Sequence, residues 1–333
     1  MPARATARQH LKSLLATTLA LTASLLPAAA TAQPAGYPNK TVTIVVPFPP
    51  GGATDIVARI AAQHLSDVTK QPHVVTNVPG ASGSIGHEQV VRAAPDGYTL
   101  IVGTASTVPG NAAYNTLKWD PIKDVTPIAM LAVEPMSVIV HPSVPANSVK
   151  ELIALAKAKP GTLNMASFGN GSISHLAGEL FKVQAGVDMT HVPYQGSAPA
   201  LTAMVGGHVQ VMFHTLSVSL PPVQGGKLKM LAITDTQRKP GLPDMPTVAE
   251  SGLPGYSAVT WQALFGPPNM PKEIVAFLSS EMGKMLAKPD VRERLTKMQS
   301  EPSDGKPETL AKAVERDLEK WRNTIRDAKI KRE

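Results

Sequence analysis

Short apolar runs of strand length alternate with stretches of helical periodicity along most of this chain. Val42 to Val46 is followed by a helical pattern over Asp55 to Leu65, and His73 to Asn77 by one over Ile85 to Ala94. The turn Pro95-Asp96-Gly97 then leads into the apolar run Leu100 to Gly103. Strand and helix in strict alternation predict a parallel sheet covered by helices. After Val138-Ile139-Val140 the rhythm restarts: Val149 to Lys159 has helical spacing with Ser148 placed to cap it, Pro160-Gly161 stops it, and Asn164 to Ser167 reads as the next strand. Helices over Ser172 to Gln184, Ala198 to Val205 and Ser217 to Gln224 alternate with strands over Thr190 to Val192, Val209 to Phe213 and Met230 to Thr234. From Pro271 onward the pattern is helical: Glu273 to Leu286, Val291 to Met298, and Thr309 to Ala328 with Leu310, Val314, Leu318, Trp321 and Ile325 near one face.

Two extended segments connect these halves, Ile128 to His141 on the way out and Tyr256 to Phe265 on the way back. They predict an α/β protein with a discontinuous first domain, residues 33–137 plus 262–333, and a contiguous second domain, residues 138–261. Two crossings of this kind make a hinge, and ligands of open α/β sheets sit beyond the carboxyl ends of the strands.

The first residues change the picture. Arg4, Arg8 and Lys12 precede the apolar stretch Leu14 to Leu26, which ends in the small-residue run Ala28-Ala29-Ala30-Thr31-Ala32. This is the layout of a secretory signal peptide cleaved after Ala32, so residues 1–32 are set apart from the fold and a periplasmic location is expected. The formal charge of +7 falls to +4 without those three basic residues. The remaining cations are dispersed among only 4% aromatic residues, a poor match to nucleic-acid binding. The absence of cysteine removes disulfides, thiolate metal sites and cysteine nucleophiles.

The most informative loop is Pro47-Phe48-Pro49-Pro50-Gly51-Gly52-Ala53-Thr54-Asp55. Its prolines end a strand, Gly51 and Gly52 permit close backbone approach, and a helix begins near Thr54 with unpaired N–H groups suited to an anion. The same residues also fit a plain turn with Thr54 as a cap. Asp55 suits the first turn of a helix but would repel a carboxylate, so its expected work is to orient the loop, a water or a ligand donor. Ala166-Ser167-Phe168-Gly169-Asn170-Gly171-Ser172 repeats this logic in the second half, and Tyr194-Gln195-Gly196-Ser197-Ala198 precedes a further helix. Val78-Pro79-Gly80-Ala81-Ser82-Gly83 departs from a dinucleotide fingerprint and reads as a tight turn. No H-E-x-x-H, G-x-S-x-G or P-loop pattern occurs, so neither a metal site, a cofactor nor an enzyme is expected. His175 reads as a packing or hydrogen-bonding residue.

Six ordered motifs resemble one family. Tyr37-Pro38, Val46 to Asp55, Asn77-Val78-Pro79-Gly80-Ala81, Pro95 to Leu100, Val192-Pro193-Tyr194-Gln195-Gly196 and Leu242 to Gly252 together resemble the Bug-type receptors of tripartite tricarboxylate transporters. The resemblance implies a periplasmic binding protein fold, type II-like, closing on a small carboxylate: a dicarboxylate, tricarboxylate, acidic amino acid or aromatic acid. It implies ligand contacts from Phe48, Gly51, Gly52, Ala53, Thr54 and Asp55 in the first half, and from Ser167, Gly169, Ser172, Tyr194, Gly196, Ser197 and Ala198 in the second. Thr104 and Ser106, after the strand Leu100 to Gly103, join the expected lining.

One departure stands out. After the strand Val209 to Phe213 the family usually shows Asp, and here His214 follows. At the rim it would matter little; lining the cleft, it would replace an acceptor by a neutral or cationic imidazole and favour a more anionic solute. The expected partners are membrane transporter subunits or a sensor kinase, with no nucleic acid, no direct membrane insertion and a monomeric chain. A periplasmic hydrolase or lyase of a carboxylic acid is the rival from another class, and would be told apart by turnover of bound ligand.

Overall fold

The computed structural model describes residues 33–331, and the predicted signal peptide, residues 1–32, lies outside the described residues. The chain runs β1 (Val42–Val46), α1 (Ala53–Thr69), β2 (His73–Asn77), α2 (Ser84–Val91) and β3 (Thr99–Thr104). A widened helical turn, Ser106–Gly110, continues into the short α3 (Asn111–Tyr114) before the long β4 (Thr126–Val140). Then come α4 (Val149–Ala158), β5 (Asn164–Ser167), α5 (Ile173–Ala185), β6 (Thr190–Pro193), α6 (Ser197–Val205), β7 (Val211–Thr215), α7 (Leu216–Gln224) and β8 (Lys229–Ile233). The chain closes with β9 (Val259–Gly266), α8 (Lys272–Ala287), α9 (Pro289–Lys297), β10 (Glu301–Pro302) and α10 (Pro307–Asp327).

The limits predicted for β1, β2 and β5 match those observed, because each is a short run bounded by Pro, Gly or polar residues. Ser148 caps α4 as expected, its hydroxyl accepting the Glu151 N–H. Helix α1 is longer than predicted: it runs from Ala53 to Thr69 between the caps Gly52 and Lys70, and the left-handed Lys70 donates its N–H to Ser66 O. The extended segment expected to connect the halves, Ile128 to His141, is the central strand β4, buried along nearly its whole length. An unbroken apolar run of this kind suits a strand covered on both faces.

The strands lie in the order β2-β1-β3-β9-β4-β7-β5-β6, with β8 and β10 also paired to β4. β1 is parallel to β2 and β3, and β5 is parallel to β6 and β7. β4 changes partners midway: Thr126 to Pro135 pair with β9, and Met136 to Val140 with β7 and β8. Register fixes what this achieves. The last residue of β3, Thr104, is opposite Gln262 of β9, which is opposite Ala132 of β4. The last residue of β7, Thr215, is opposite Met136. Both parallel sets therefore aim their carboxyl ends at the middle of β4, about 13 Å apart at the usual strand rise.

Each half has its own core. β1, α1 and α8 bury Ile44, Val57, Leu65 and Phe277 on one side of the first sheet, and β5, α5 and β7 bury Met165, Phe181 and Phe213 beside the second. Two elements cross the predicted domain boundary. Ala112, Ala113 and Tyr114 of α3 pack into the second core, as do Leu318, Trp321 and Ile325 from the end of α10. The start of α10 places Leu310, Ala313 and Val314 among first-half residues such as Ile101 and Phe265.

Candidate functional site

The proline- and glycine-rich loop leaves β1 and turns sharply into α1. Gly51 has φ +90°, the left-handed region open to glycine, and a side chain placed on Gly51 or Gly52 would meet nothing within 4 Å. Gly52 supplies no side-chain cap, and the first intrahelical bond runs from Ile56 N–H to Gly52 O at 3.0 Å. No side chain of the cap residue takes the N–H groups of the first turn, and the space beside Gly51 and Gly52 is open, an arrangement that suits an anion.

Asp55 holds this loop rather than facing a ligand. Its carboxylate accepts Gly51 N–H at 3.0 Å, Arg59 Nε at 2.9 Å and Nη2 at 3.0 Å, and Asn77 Nδ2 at 3.0 Å. Asn77 also donates to Phe48 O at 3.0 Å, tying the end of β2 to the same loop. The Arg59 hydrogen bonds bring the Asp55 carboxyl down to about 2, so it stays ionised across the physiological range. Of the three things Asp55 was expected to orient, the structure shows it holding the loop. Arg59, four residues on, was readable from helical spacing; Asn77, on another strand, was not.

Thr104 and Ser106 follow β3. Thr104 is buried and exchanges hydrogen bonds with Thr107, whose hydroxyl also meets His87 Nε2 at 3.0 Å. Thr104 is thus part of the support under the surface. Ser106 crosses to the other half: its Oγ accepts the Ile173 N–H at 3.1 Å.

That contact occupies part of the helix start in the second half. In α5, Ile173 N–H is taken by Ser106 and His175 N–H by the Ser172 hydroxyl, so this helix start is largely capped by the protein itself. Ser167 is fully buried and lies beneath the loop, its hydroxyl 2.6 Å from His191 Nε2 and in contact with Gly169 N at 3.2 Å. His191 stacks on His175 at 3.9 Å, and His175 Nδ1 accepts Gly171 N–H at 3.2 Å. Burial pushes the two imidazoles down to about 4 and about 3 respectively. His175 is the packing and hydrogen-bonding residue that its sequence context suggested.

The uncapped helix start of the second half is α6. Gly196, with φ +111°, offers no side-chain cap and opens to space, while its N–H donates to Phe168 O at 3.2 Å. Tyr194 N–H fixes the preceding turn on Ser167 O at 3.1 Å. Ser197 is half-buried and Ala198 exposed. His214 is not at the rim: it is 0% exposed, with Nε2 2.9 Å from Ser197 Oγ and its ring edge-on to Phe168 at 4.7 Å. Burial pushes His214 down to about 4, so the imidazole is neutral near pH 7 and the cationic form drops out.

Under the meeting point of the strand ends lie polar groups that sequence reading missed. Glu134 is 0% exposed; Oε1 accepts Ser217 N–H at 2.9 Å, and Oε2 has no hydrogen-bond partner among the described residues. Burial pushes its carboxyl up to about 7. No local pattern marks it, because an acid inside a strand is ordinarily on an exposed face. Elsewhere, an open groove of about 430 Å3 lies along Asn115 to Asp120 and Arg322, and none of the predicted site residues lines it. Among the described residues no cluster of His, Asp or Glu could hold a metal ion, and no helix is long and apolar enough to cross a membrane.

Two parallel strand sets with converging ends and glycine-rich helix starts define an α/β fold of the solute-binding class. Rpa4515 of R. palustris, solved with adipate, is 36% identical to this chain with a TM-score of 0.80, over 88% of this chain and 98% of its own. MatC (Rpa3494) from Rhodopseudomonas palustris, solved with bound malate, is 36% identical with a TM-score of 0.77, over 87% and 100%. BugT of Bordetella pertussis is 32% identical over 89% of this chain and 92% of its own length. Residues 57–330 match the model of the tripartite tricarboxylate transporter family receptor. The chain belongs to that receptor family, and the resemblance seen in its six motifs holds.

Proposed function

We propose that this protein is a secreted periplasmic receptor that captures a small carboxylate where the two sets of strand ends meet and delivers it to the membrane subunits of a tripartite tricarboxylate-type transporter. The observation that carries the reading is the pair of uncapped helix starts, Gly52 after β1 and Gly196 after β6, in the two parallel sets whose members β3 and β7 end opposite Ala132 and Met136 of β4. Backbone N–H groups at a helix start suit an anion held without a metal. Family membership and relatives solved with adipate and malate support the same ligand class. On this reading residues 33–137 plus 262–333 and residues 138–261 are the two domains, the chain is a monomer, and it turns nothing over.

Capture needs contacts to both halves at once, so ligand stabilises the closed arrangement only to the extent that it binds it better than the open one. Mass spectrometry of ligand released from natively purified protein, followed by titration of that compound, tests the proposal. A carboxylate recovered unaltered at one per chain is expected. Recovery of a chemically altered compound after incubation, or no stabilisation by any carboxylate of the panel, would overturn it.

A further inference from the structure

Buried His214 and half-buried Ser197 can together present two opposite faces to a ligand. His214 Nδ1 is 3.3 Å from Thr215 O and 3.2 Å from Thr215 Oγ1, while Nε2 is 2.9 Å from Ser197 Oγ. A neutral imidazole has one N–H and one lone pair, and which nitrogen carries the proton decides what its neighbours do. With the proton on Nδ1, that nitrogen donates to Thr215 O and Nε2 accepts the Ser197 hydroxyl, so Ser197 offers only lone pairs outward. With the proton on Nε2, the Thr215 hydroxyl donates to Nδ1, Nε2 donates to Ser197 Oγ, and the Ser197 hydroxyl is free to donate outward. Phe168, edge-on at 4.7 Å, holds the ring plane in both cases. Gly196 beside Ser197 leaves the approach open.

A carboxylate oxygen only accepts hydrogen bonds, and an ammonium group only donates. The first therefore selects the Nε2–H form and the second the Nδ1–H form. An acidic side chain at this position would accept only, consuming the Ser197 hydroxyl. We propose that His214 sets the ligand preference of this half of the site through Ser197, holding the hydroxyl as a donor and favouring a dicarboxylate that carries no amino group at that end. His214 is thus a positioning residue, and Ser197 makes the contact. The inference rests on the carboxylate-receptor reading and adds to it the class of carboxylate.

The test combines calorimetric titration of malate, adipate and aspartate with nitrogen-15 spectra of the histidine rings, the His214 signals being assigned from their loss in His214→Gln. For the parent protein, malate or adipate binds more tightly than aspartate, and saturation with it brings His214 to the Nε2–H form. His214→Asp loses about 10- to 100-fold in dicarboxylate affinity, the usual worth of one hydrogen bond to a charged group. His214→Gln, whose amide nitrogen donates to Ser197, recovers most of that loss. Ser197→Ala and His214→Asp act through one hydroxyl, so the double variant is weaker than His214→Asp by less than about threefold, where independent effects would add. An Nδ1–H ring in the saturated complex, or additive losses, overturns the proposal while leaving the receptor reading intact. Should His214→Asp not fold, the ring signals and His214→Gln decide alone. If the parent protein binds none of the three acids nor any other carboxylate, the receptor reading itself fails and this proposal with it.

Discussion

Replacing Glu134 by Gln makes the protein more stable at pH 8 and leaves it unchanged at pH 4. In the unfolded chain this carboxyl titrates near its ordinary 4.5, whereas in the fold, where burial dominates, it titrates at about 7. Below 4.5 both states hold the proton and there is no cost. Between 4.5 and 7 the unfolded chain gives it up while the fold keeps it, so stability falls as pH rises, and above 7 the whole penalty is present. The gap corresponds to about 3 kcal/mol. Gln retains a carbonyl oxygen for the Ser217 N–H and cannot ionise, so it removes the penalty without removing the contact. For a chain of this size the gain is on the order of 5 °C in melting temperature. Differential scanning calorimetry of the two proteins from pH 4 to 8 isolates it, because every other titrating group is shared. Equal melting temperatures at pH 8, or the same gain at pH 4 as at pH 8, would refute the reasoning. Lys239, held by Asp235 at 2.8 Å and Glu301 at 2.9 Å, also lowers the Glu134 carboxyl and trims the effect.

The binding loop makes further expectations. Gly52→Val adds a side chain into open space on ordinary extended backbone (φ −80°, ψ 170°), so melting changes by no more than about 0.5 kcal/mol while carboxylate affinity drops at least about tenfold; unfolding of this variant, or affinity retained in titration, counts against the site. Asp55→Asn leaves one acceptor for Gly51 but removes the charge that holds Arg59, costing about 2 kcal/mol in chemical denaturation and weakening binding without abolishing it. Binding by the parent protein should not change between pH 5 and 8 through Asp55, whose carboxyl lies at about 2.

Much of this fold was legible because its strands are short, apolar and fenced by Pro and Gly. Val42–Val46 is followed at once by Pro47, and Asn164–Ser167 runs out among glycines. What the sequence concealed is adjacency. Ile128 to His141 was legible as an extended link between the halves, but only the paired register shows that it is a strand changing partners at Pro135 and Met136. The loop at Gly52 was recognised, but nothing local reveals that Ser106 reaches across to cap Ile173 at the start of α5. His214 was marked as unusual from its position after the predicted strand Val209 to Phe213, yet it lies inside β7 and its surroundings come from Phe168 in the loop after β5 and Ser197 at the start of α6. Helical spacing put Leu310 and Trp321 on one face; it did not say that this face serves two cores.

That last helix has a mechanical consequence. α10 is a stiff rod whose first turns rest on one half and whose last turns rest on the other, pinned between them where Asp317 accepts the Trp261 Nε1–H at 2.9 Å. Besides β4 and the return into β9, it is a third tether. A pair of tethers permits both twisting and bending, but a third that does not stretch leaves free only a rotation whose axis passes near all of them. Any opening of the protein must then pivot close to Asp317 and the middle of β4, sweeping the glycine loops apart by the largest distance while the rod hardly moves.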